Sequence, residues 1–369
     1  MPTINGESKR EQVRNYIVDL IKEQGLQQGD KLPTEKQLCT ALEVSRITAQ
    51  SALEELRREG RIYRIQGGGT FVGTAPATVP AKGDGPAFIP FIINDNTPHA
   101  GWLEIINGAE DYLKSRSCYV TVHSPNGDRS KEVEIIQSLI NRGVRSIMIL
   151  PFQRNIDSRY YFELIRQGIR LVFVDVIPHG LVGNLVCSNN VLGGHLVTQH
   201  LLDQGYRHVA LVSGTQSSSV RDRTIGYRFA LEGAGIPFDE RYVYCNEAIN
   251  TRRDMIANAS RILDDLFSLP QPPDALFCIN DYTAADLYYA LSQRGIRVPE
   301  DIALAGFDNL PVSAENAVPI TTVAQDFRSI GYEAARLCYE NSNPSAQIYD
   351  HRFLPVRLIE RTSTRKKGT

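Results

Sequence analysis

From Ala87 to Ile359 the chain alternates strand-like and helix-like segments, a pattern that few folds accommodate. Apolar runs that read as strands cover Phe88–Ile93, Cys118–His123, Arg145–Leu150 and Arg170–Val174. Helical periodicity between and after them predicts helices over Gly101–Lys114, Lys131–Asn141 and Asp157–Gln167. A second series follows, with helices Leu192–Leu202, Thr224–Glu232, Arg253–Leu266 and Ala284–Gln293. Its strands are His208–Val212, Tyr242–Cys245, Ala275–Ile279 and Ile302–Ala305. A helix over Arg328–Tyr339 and a late strand over His351–Ile359 close the pattern. Strands joined by crossover helices pair in parallel and are covered on both faces. So many units exceed one core, so the spacing predicts an α/β domain of two lobes, each a doubly wound parallel sheet.

The first part of the chain obeys different rules. Glu7 to Glu23 carries Val13, Ile17, Leu20 and Ile21 at helical spacing. Between Lys31 and Val72, Thr34-Glu35-Lys36-Gln37 is a capping box, and Ser45 starts a second helix that Gly60 can close. With only Glu43-Val44 between them, the two helices make a helix-turn-helix. Ala49, Ala52, Leu53 and Leu56 form the stripe expected to face the core, while Arg46, Gln50 and Arg57 flank it. Arg61–Ile65, a Gln66–Gly69 turn and Thr70–Val72 read as a hairpin wing whose glycine tip can approach a nucleic-acid backbone closely. A purely structural subdomain is the bland alternative, but helix, spacing and wing all favour DNA binding. Gly73–Pro86, GTAPATVPAKGDGP, is a linker.

LPTEKQL followed by VSRITAQSALEELRREGRIYRIQGGGTFV resembles the winged helix-turn-helix of the GntR repressor family over about the first seventy residues. The resemblance implies recognition-helix contacts from Ser45, Arg46, Thr48 and Gln50, with Lys36 near a phosphate or base and wing contacts around Gln66 and Gly67. Members often carry Arg where this chain has Gln50, and a glutamine can read adenine where an arginine favours guanine.

Composition narrows the possibilities without naming one. The net charge is −2, and even the first 74 residues hold only eleven basic against ten acidic side chains. DNA binding must therefore rest on where the basic groups point. MPTINGESKR has no apolar core for a signal peptide, and no run approaches membrane-spanning length. That leaves no membrane association expected, and the six cysteines, which never form CxxC, point to reduced thiols and a cytoplasmic location.

In parallel sheets, ligands bind beyond the carboxyl ends of strands. Those ends carry Asn94-Asp95, Gln153, Asp175, Ser213, Asn280-Asp281 and Asp308-Asn309. Asp and Asn also cap turns and helices for structural reasons, so only their shared location argues for a site. Such a rim suits a small polyhydroxylated ligand, whose hydroxyls donate and accept.

NNVLGGHLVTQHLLDQGYRHVALVSG, RTIGYRFALEGAGIPFD, CINDYTAADLYYALSQRGIRVPEDIALAGFDN, TTVAQDF and FLPVRLIERTST resemble the effector domain of the LacI repressor family, which shares the fold of periplasmic sugar-binding proteins. The resemblance places ligand contacts at Arg223 of an R-x-x-G motif with Gly226, and at Asn280, Asp308, Gln325 and Asp175. Asp95 and Trp102 join the candidates from position: Asp95 at a strand end, Trp102 as either helix core or a platform for a sugar's C–H face. Asp281 reads as a helix cap, and His195 and His200, five apart, as solvated helix residues and not a zinc pair.

The expected division is a DNA-binding domain over 1–73, a linker over 74–86 and an effector-binding and dimerisation domain over 87–369. Its lobe 1 spans about 87–187 and 326–352, and its lobe 2 about 188–325 and 353–364. The combination resembles the arabinose-repressor group of regulators. It implies a homodimeric repressor of carbohydrate-utilisation genes that binds double-stranded operator DNA, controlled by a sugar or sugar derivative and needing no cofactor or metal. The competing reading, an α/β enzyme acting on a small polar substrate, finds no GxxxxGK[ST], GxSxG or HExxH in the chain.

Overall fold

The computed structural model describes residues 8–27, 29–65, 69–73, 87–94, 100–151, 158–213, 217–245, 252–340 and 349–365. Two compact units are present, one centred on Met1–Asp84 and the other on Gly85–Ile140 with Val144–Thr369.

The first unit is built from α1 (Lys9–Glu23), α2 (Glu35–Leu42), α3 (Arg46–Arg58), β1 (Ile62–Ile65) and β2 (Gly69–Val72). Both helices of the helix-turn-helix begin as their sequence predicts. Thr34 accepts from the Gln37 amide while Gln37 bonds back to the Thr34 amide, and Ser45 accepts from the Thr48 amide. Glu43, in the left-handed region at φ 49°, makes the tight turn between them. Val13, Ile17, Leu38, Ala49, Ala52, Leu53, Leu56, Ile62 and Val72 form one buried core. The hairpin pairs Ile62 with Val72 and Tyr63 with Phe71.

The second unit opens with β3 (Ala87–Ile93), α4 (Ala100–Leu113), β4 (Cys118–His123), α5 (Arg129–Asn141), β5 (Ser146–Leu150), α6 (Ser158–Arg166), β6 (Arg170–Val174) and β7 (Asn184–Ser188). It continues with α7 (Asn190–Asp203), β8 (Val209–Ser213), α8 (Ser218–Gly233), β9 (Val243–Cys245), α9 (Arg252–Phe267), β10 (Ala275–Cys278), α10 (Asp281–Gln293) and β11 (Ala303–Ala305). It ends with α11 (Pro311–Glu315), β12 (Thr322–Ala324), α12 (Phe327–Glu340), β13 (His351–Leu354) and β14 (Arg357–Ile359).

Lobe 1 is a six-stranded sheet in the order β13-β7-β6-β5-β3-β4, parallel throughout. Lobe 2 holds the parallel sheet β11-β10-β8-β9. The late strand expected over His351–Ile359 is in fact two. Pro355 lacks an N–H for a ladder, and the chain leaves β13 in lobe 1 to enter β14, which pairs with β12. That β12–β14 pair is antiparallel, an exception to the all-parallel expectation. Two further corrections follow. His200 is buried, 8% exposed and hydrogen-bonded to the Thr364 hydroxyl, so it is not solvated. The cap of α10 is Asn280, which accepts from the Thr283 amide, and not Asp281.

Helices meet at glycines within each lobe. A Cβ on Gly226 would lie 2.0 Å from the Val191 carbonyl oxygen, and one on Gly194 2.2 Å from that of Arg223, so α7 and α8 touch backbone to backbone. Gly108 and Gly331 do the same for α4 and α12 in lobe 1.

Candidate ligand cleft and nucleic-acid interface

The close approach of α7 to α8 brings Arg223 into the interior with 5% of its surface exposed. Its Nε donates to Asn190 Oδ1 at 2.8 Å and a terminal nitrogen donates to the Ile279 carbonyl at 2.5 Å. Its other terminal nitrogen faces Asp308 Oδ1 at 3.7 Å, and the guanidinium lies 3.7 Å from the Phe307 ring centroid. Asp308, at φ 106°, follows β11 in a backbone conformation that few non-glycine residues adopt. Gln325 Nε2 donates to its Oδ1 at 2.6 Å, and Ser188 Oγ donates to Gln325 Oε1 at 2.6 Å. Arg223, Asp308 and Gln325 are thus one network at the strand ends, with Asn280 next to the carbonyl that holds Arg223.

Burial dominates the electrostatics. It pushes the Asp308 carboxyl up to about 8, with Asp281 and Asp175 adding to the rise against the pull of Arg223. Asp281, fully buried, is raised to about 7 by the same cause, although Thr322 Oγ1 at 2.6 Å and the Leu310 amide at 2.7 Å donate to it. Asp175, from the end of β6 in lobe 1, sits at φ 65° and is close enough for its charge to act on Asp308. The lobes also meet where the Ile177 amide donates to Ser218 Oγ at 3.0 Å.

Trp102 packs partly buried against the lobe 1 core, a placement compatible with both readings of its sequence position. Asp95, Gln66, Gly67 and Gln153 lie outside the described residues. Asn190 and Ser188 belong to the network without having been singled out, and Asp281, read from sequence as a cap, lies buried beside it. A serine and asparagines beside a Gly-Gly helix start carry no signal that separates a cap from a site.

In the first unit, Lys36, Ser45, Arg46 and Gln50 are exposed at the start of α2 and along α3, with Thr48 half-buried. The organiser is a residue that sequence reasoning missed, Glu35. Its carboxylate, 10% exposed, receives Arg46 Nε at 3.2 Å, Gln50 Nε2 at 3.1 Å and the Arg64 guanidinium. These partners hold its pKa below the usual carboxylate value despite the opposing effect of burial. Glu35 therefore ties two recognition-helix side chains to one from the wing. Such fixing of side chains precedes bidentate reading of base edges.

Comparison with known proteins gives two family matches. Residues 9–72 match the model for bacterial regulatory proteins of the gntR family, and residues 198–364 match the periplasmic binding protein-like domain. The chain is 27% identical over 365 residues to an arabinose metabolism transcriptional repressor of Geobacillus stearothermophilus, covering 96% of this chain and 97% of that protein. It is also 27% identical over 242 residues to the HTH-type transcriptional repressor PurR of Aliivibrio fischeri, covering 65% of this chain and 70% of that one. Among solved structures, the transcriptional regulator CelR in complex with cellobiose superposes with a TM-score of 0.66 at 23% identity, covering 87% of this chain and 92% of that one.

Proposed function

The chain is a DNA-binding transcriptional regulator that joins a gntR-family domain to a periplasmic binding protein-like domain, and from that premise we propose that an uncharged sugar controls its hold on operator DNA. The observation that carries the effector class is the engagement of Arg223. All three guanidinium nitrogens already face Asn190, Ile279 or Asp308, and the charges of Asp175 and Asp281 act on that same Asp308. Among the described residues hydrogen-bonded directly to Arg223, Asp308 or Gln325, Arg223 is the one cation, and its nitrogens are already engaged. Carboxyl, amide and hydroxyl groups in that arrangement suit hydroxyls that both donate and accept. The relative named for arabinose metabolism agrees with a monosaccharide and with repression of carbohydrate genes.

The site residues proposed are Arg223, Asn280, Asp308 and Gln325 from lobe 2 and its border, with Asp175, Asp95 and Trp102 from lobe 1. For DNA they are Lys36, Ser45, Arg46, Thr48, Gln50, Gln66 and Gly67. The regulator works as a homodimer in the cytoplasm, since one winged helix reads a half-site and a two-fold partner doubles the contacts. Exposed Leu103 on α4, with Tyr119 and Val122 on the edge strand β4, supply apolar surface for that pairing. Among the described residues no helix is long and apolar enough to cross a membrane.

The test is operator affinity measured by fluorescence anisotropy with and without a panel of neutral monosaccharides, sugar phosphates and purine bases. A neutral sugar should change it by 5- to 150-fold, the span of ordinary allosteric coupling, and Arg223→Ala should abolish the change. A response to sugar phosphates or purines alone refutes the neutral-sugar class, and no response to any member refutes effector control.

A further inference from the structure

A second polar cluster lies in lobe 1, also at a strand end. Asn94 follows β3, with its amide bonded to the Leu150 carbonyl at 3.2 Å and only 6% of its surface exposed. Its Nδ2 donates to Glu132 Oε2 at 2.8 Å. Glu132, in the first turn of α5, is fully buried. Its other oxygen accepts from the Tyr161 hydroxyl at 2.6 Å and from the Arg129 guanidinium. Arg129 in turn donates to the Tyr161 hydroxyl at 2.7 Å and lies 4.8 and 4.7 Å from the rings of Tyr160 and Tyr161. Every member of this cluster is held by at least two others except Asn94, which is held by one end only.

A carboxylate that already receives an arginine and a phenol takes the NH2 end of the Asn94 amide, so Oδ1 is turned away from it. That oxygen is buried and has no hydrogen-bond partner among the described residues. Buried amide oxygens are nearly always paired, and leaving one unpaired is costly. Its place is the carboxyl edge of a parallel sheet, where such folds receive ligands. We infer that Asn94 Oδ1 is a lobe 1 acceptor for one hydroxyl of the effector, and that Glu132, braced by Arg129 and Tyr161, is the positioning residue that fixes which end of the amide the effector meets. The inference rests on the effector reading above and sharpens it, because it requires a donor on the ligand face turned to lobe 1.

The experiment uses the full chain. The neutral monosaccharide that raises its melting temperature most is titrated calorimetrically into wild type, Asn94→Ala and Glu132→Gln, and so is each of its monodeoxy analogues. Asn94→Ala should bind the parent sugar roughly 10- to 100-fold more weakly. For one monodeoxy analogue, wild type and Asn94→Ala should bind alike, because the hydroxyl that Asn94 accepts is gone. Glu132→Gln, which lets the amide turn over, should lose affinity for the parent sugar and not for that same analogue. Equal binding of the parent by wild type and Asn94→Ala overturns the inference. So does an equal loss against every analogue, which is what a merely structural role produces. If wild type binds no member of the panel, the effector reading itself fails and this inference falls with it.

Discussion

Two glycines of one helix should respond to the same substitution with opposite signs. Gly226 and Gly233 both lie in α8. An alanine Cβ at 226 would sit 2.0 Å from the Val191 carbonyl oxygen and 2.6 Å from the His195 amide nitrogen, against 3.4–4 Å for ordinary contact. Both obstacles are backbone of α7, so no side chain can swing aside, and the helices must part by about 1 Å or more. Overpacking of this kind costs about 1–3 kcal/mol and sometimes more, while the gain in helix propensity over glycine returns about 1 kcal/mol. Because both obstacles are rigid backbone, the cost should lie at the top of that range, about 3 kcal/mol, so Gly226→Ala should lose about 2 kcal/mol of lobe 2 stability. At Gly233 the added Cβ meets nothing within 4 Å, and the change should gain up to about 0.5–1 kcal/mol. Urea unfolding followed by far-ultraviolet circular dichroism measures both, whereas the single tryptophan, Trp102, reports on lobe 1. Parting α7 from α8 also displaces Arg223, one turn from Gly226, so Gly226→Ala should blunt the effector response too. If Gly226→Ala lies within about 0.5 kcal/mol of wild type, or if both variants shift the same way, the close-packing argument is wrong.

Lobe 2 should lose stability as pH rises from 5 to 8. Asp308 is raised to about 8 and Asp281 to about 7 by burial, whereas an unfolded aspartate titrates near about 4. The folded state thus holds protons that the unfolded chain has released, so its advantage is full below about pH 4 and is lost as pH climbs through the folded values. Asp308→Asn should flatten that slope in thermal melts at constant ionic strength; an unchanged slope would contradict the assignment. Glu35→Gln should free Arg46, Gln50 and Arg64, lowering the ratio of operator to non-cognate affinity by about tenfold. Anisotropy at one salt concentration checks this, and an unchanged ratio would mean that Glu35 orders nothing relevant. Arg46→Ala should weaken operator binding by about 1–3 kcal/mol while sugar affinity measured by calorimetry stays the same; undiminished operator binding would remove Arg46 from the interface.

What could be read from the chain was whatever local rules enforce. Thr34, Gln37 and Ser45 announce helix starts because their side chains bond backbone three residues away, and the structure has each bond. Ala49, Ala52, Leu53 and Leu56 announce a core face by spacing alone, and all are buried. The R-x-x-G pair was legible as a motif, but its reason is tertiary: glycine admits the neighbouring helix, and that seating buries the arginine. Short elements escaped. Asn184–Ser188 and Thr322–Ala324 carry apolar runs of only three and two residues, too short to stand out, and become strands because partners flank them. Glu35 and Glu132 were missed, and Asp281 was misread as a cap, for a related reason. A buried carboxylate is justified by donors far along the chain, such as Arg64 for Glu35, Thr322 for Asp281 and Tyr161 for Glu132. No window of sequence contains both halves of those pairs.

The three passages between lobes place Gln325 and its partner Ser188 at chain crossovers. The chain leaves lobe 1 after Ser188, returns after Ala324 and leaves again after Leu354. The crossovers are bonded to one another: the Asn189 amide to the Leu354 carbonyl at 2.8 Å, and Ser188 Oγ to Gln325 Oε1 at 2.6 Å. Gln325 then spends its NH2 group on Asp308, the carboxyl that faces Arg223. Under the proposed function, a hydroxyl arriving at Asp308 would compete with, or add to, a bond whose other end is fixed at a chain crossover. Rearranging that one amide alters a link between two crossovers as well as a ligand contact. A site built at the strand ends but away from the crossovers could bind equally tightly and have no such lever. If the proposed effector binds at Asp308, the position of Gln325, more than its chemistry, is what would let occupancy bias how the lobes are held.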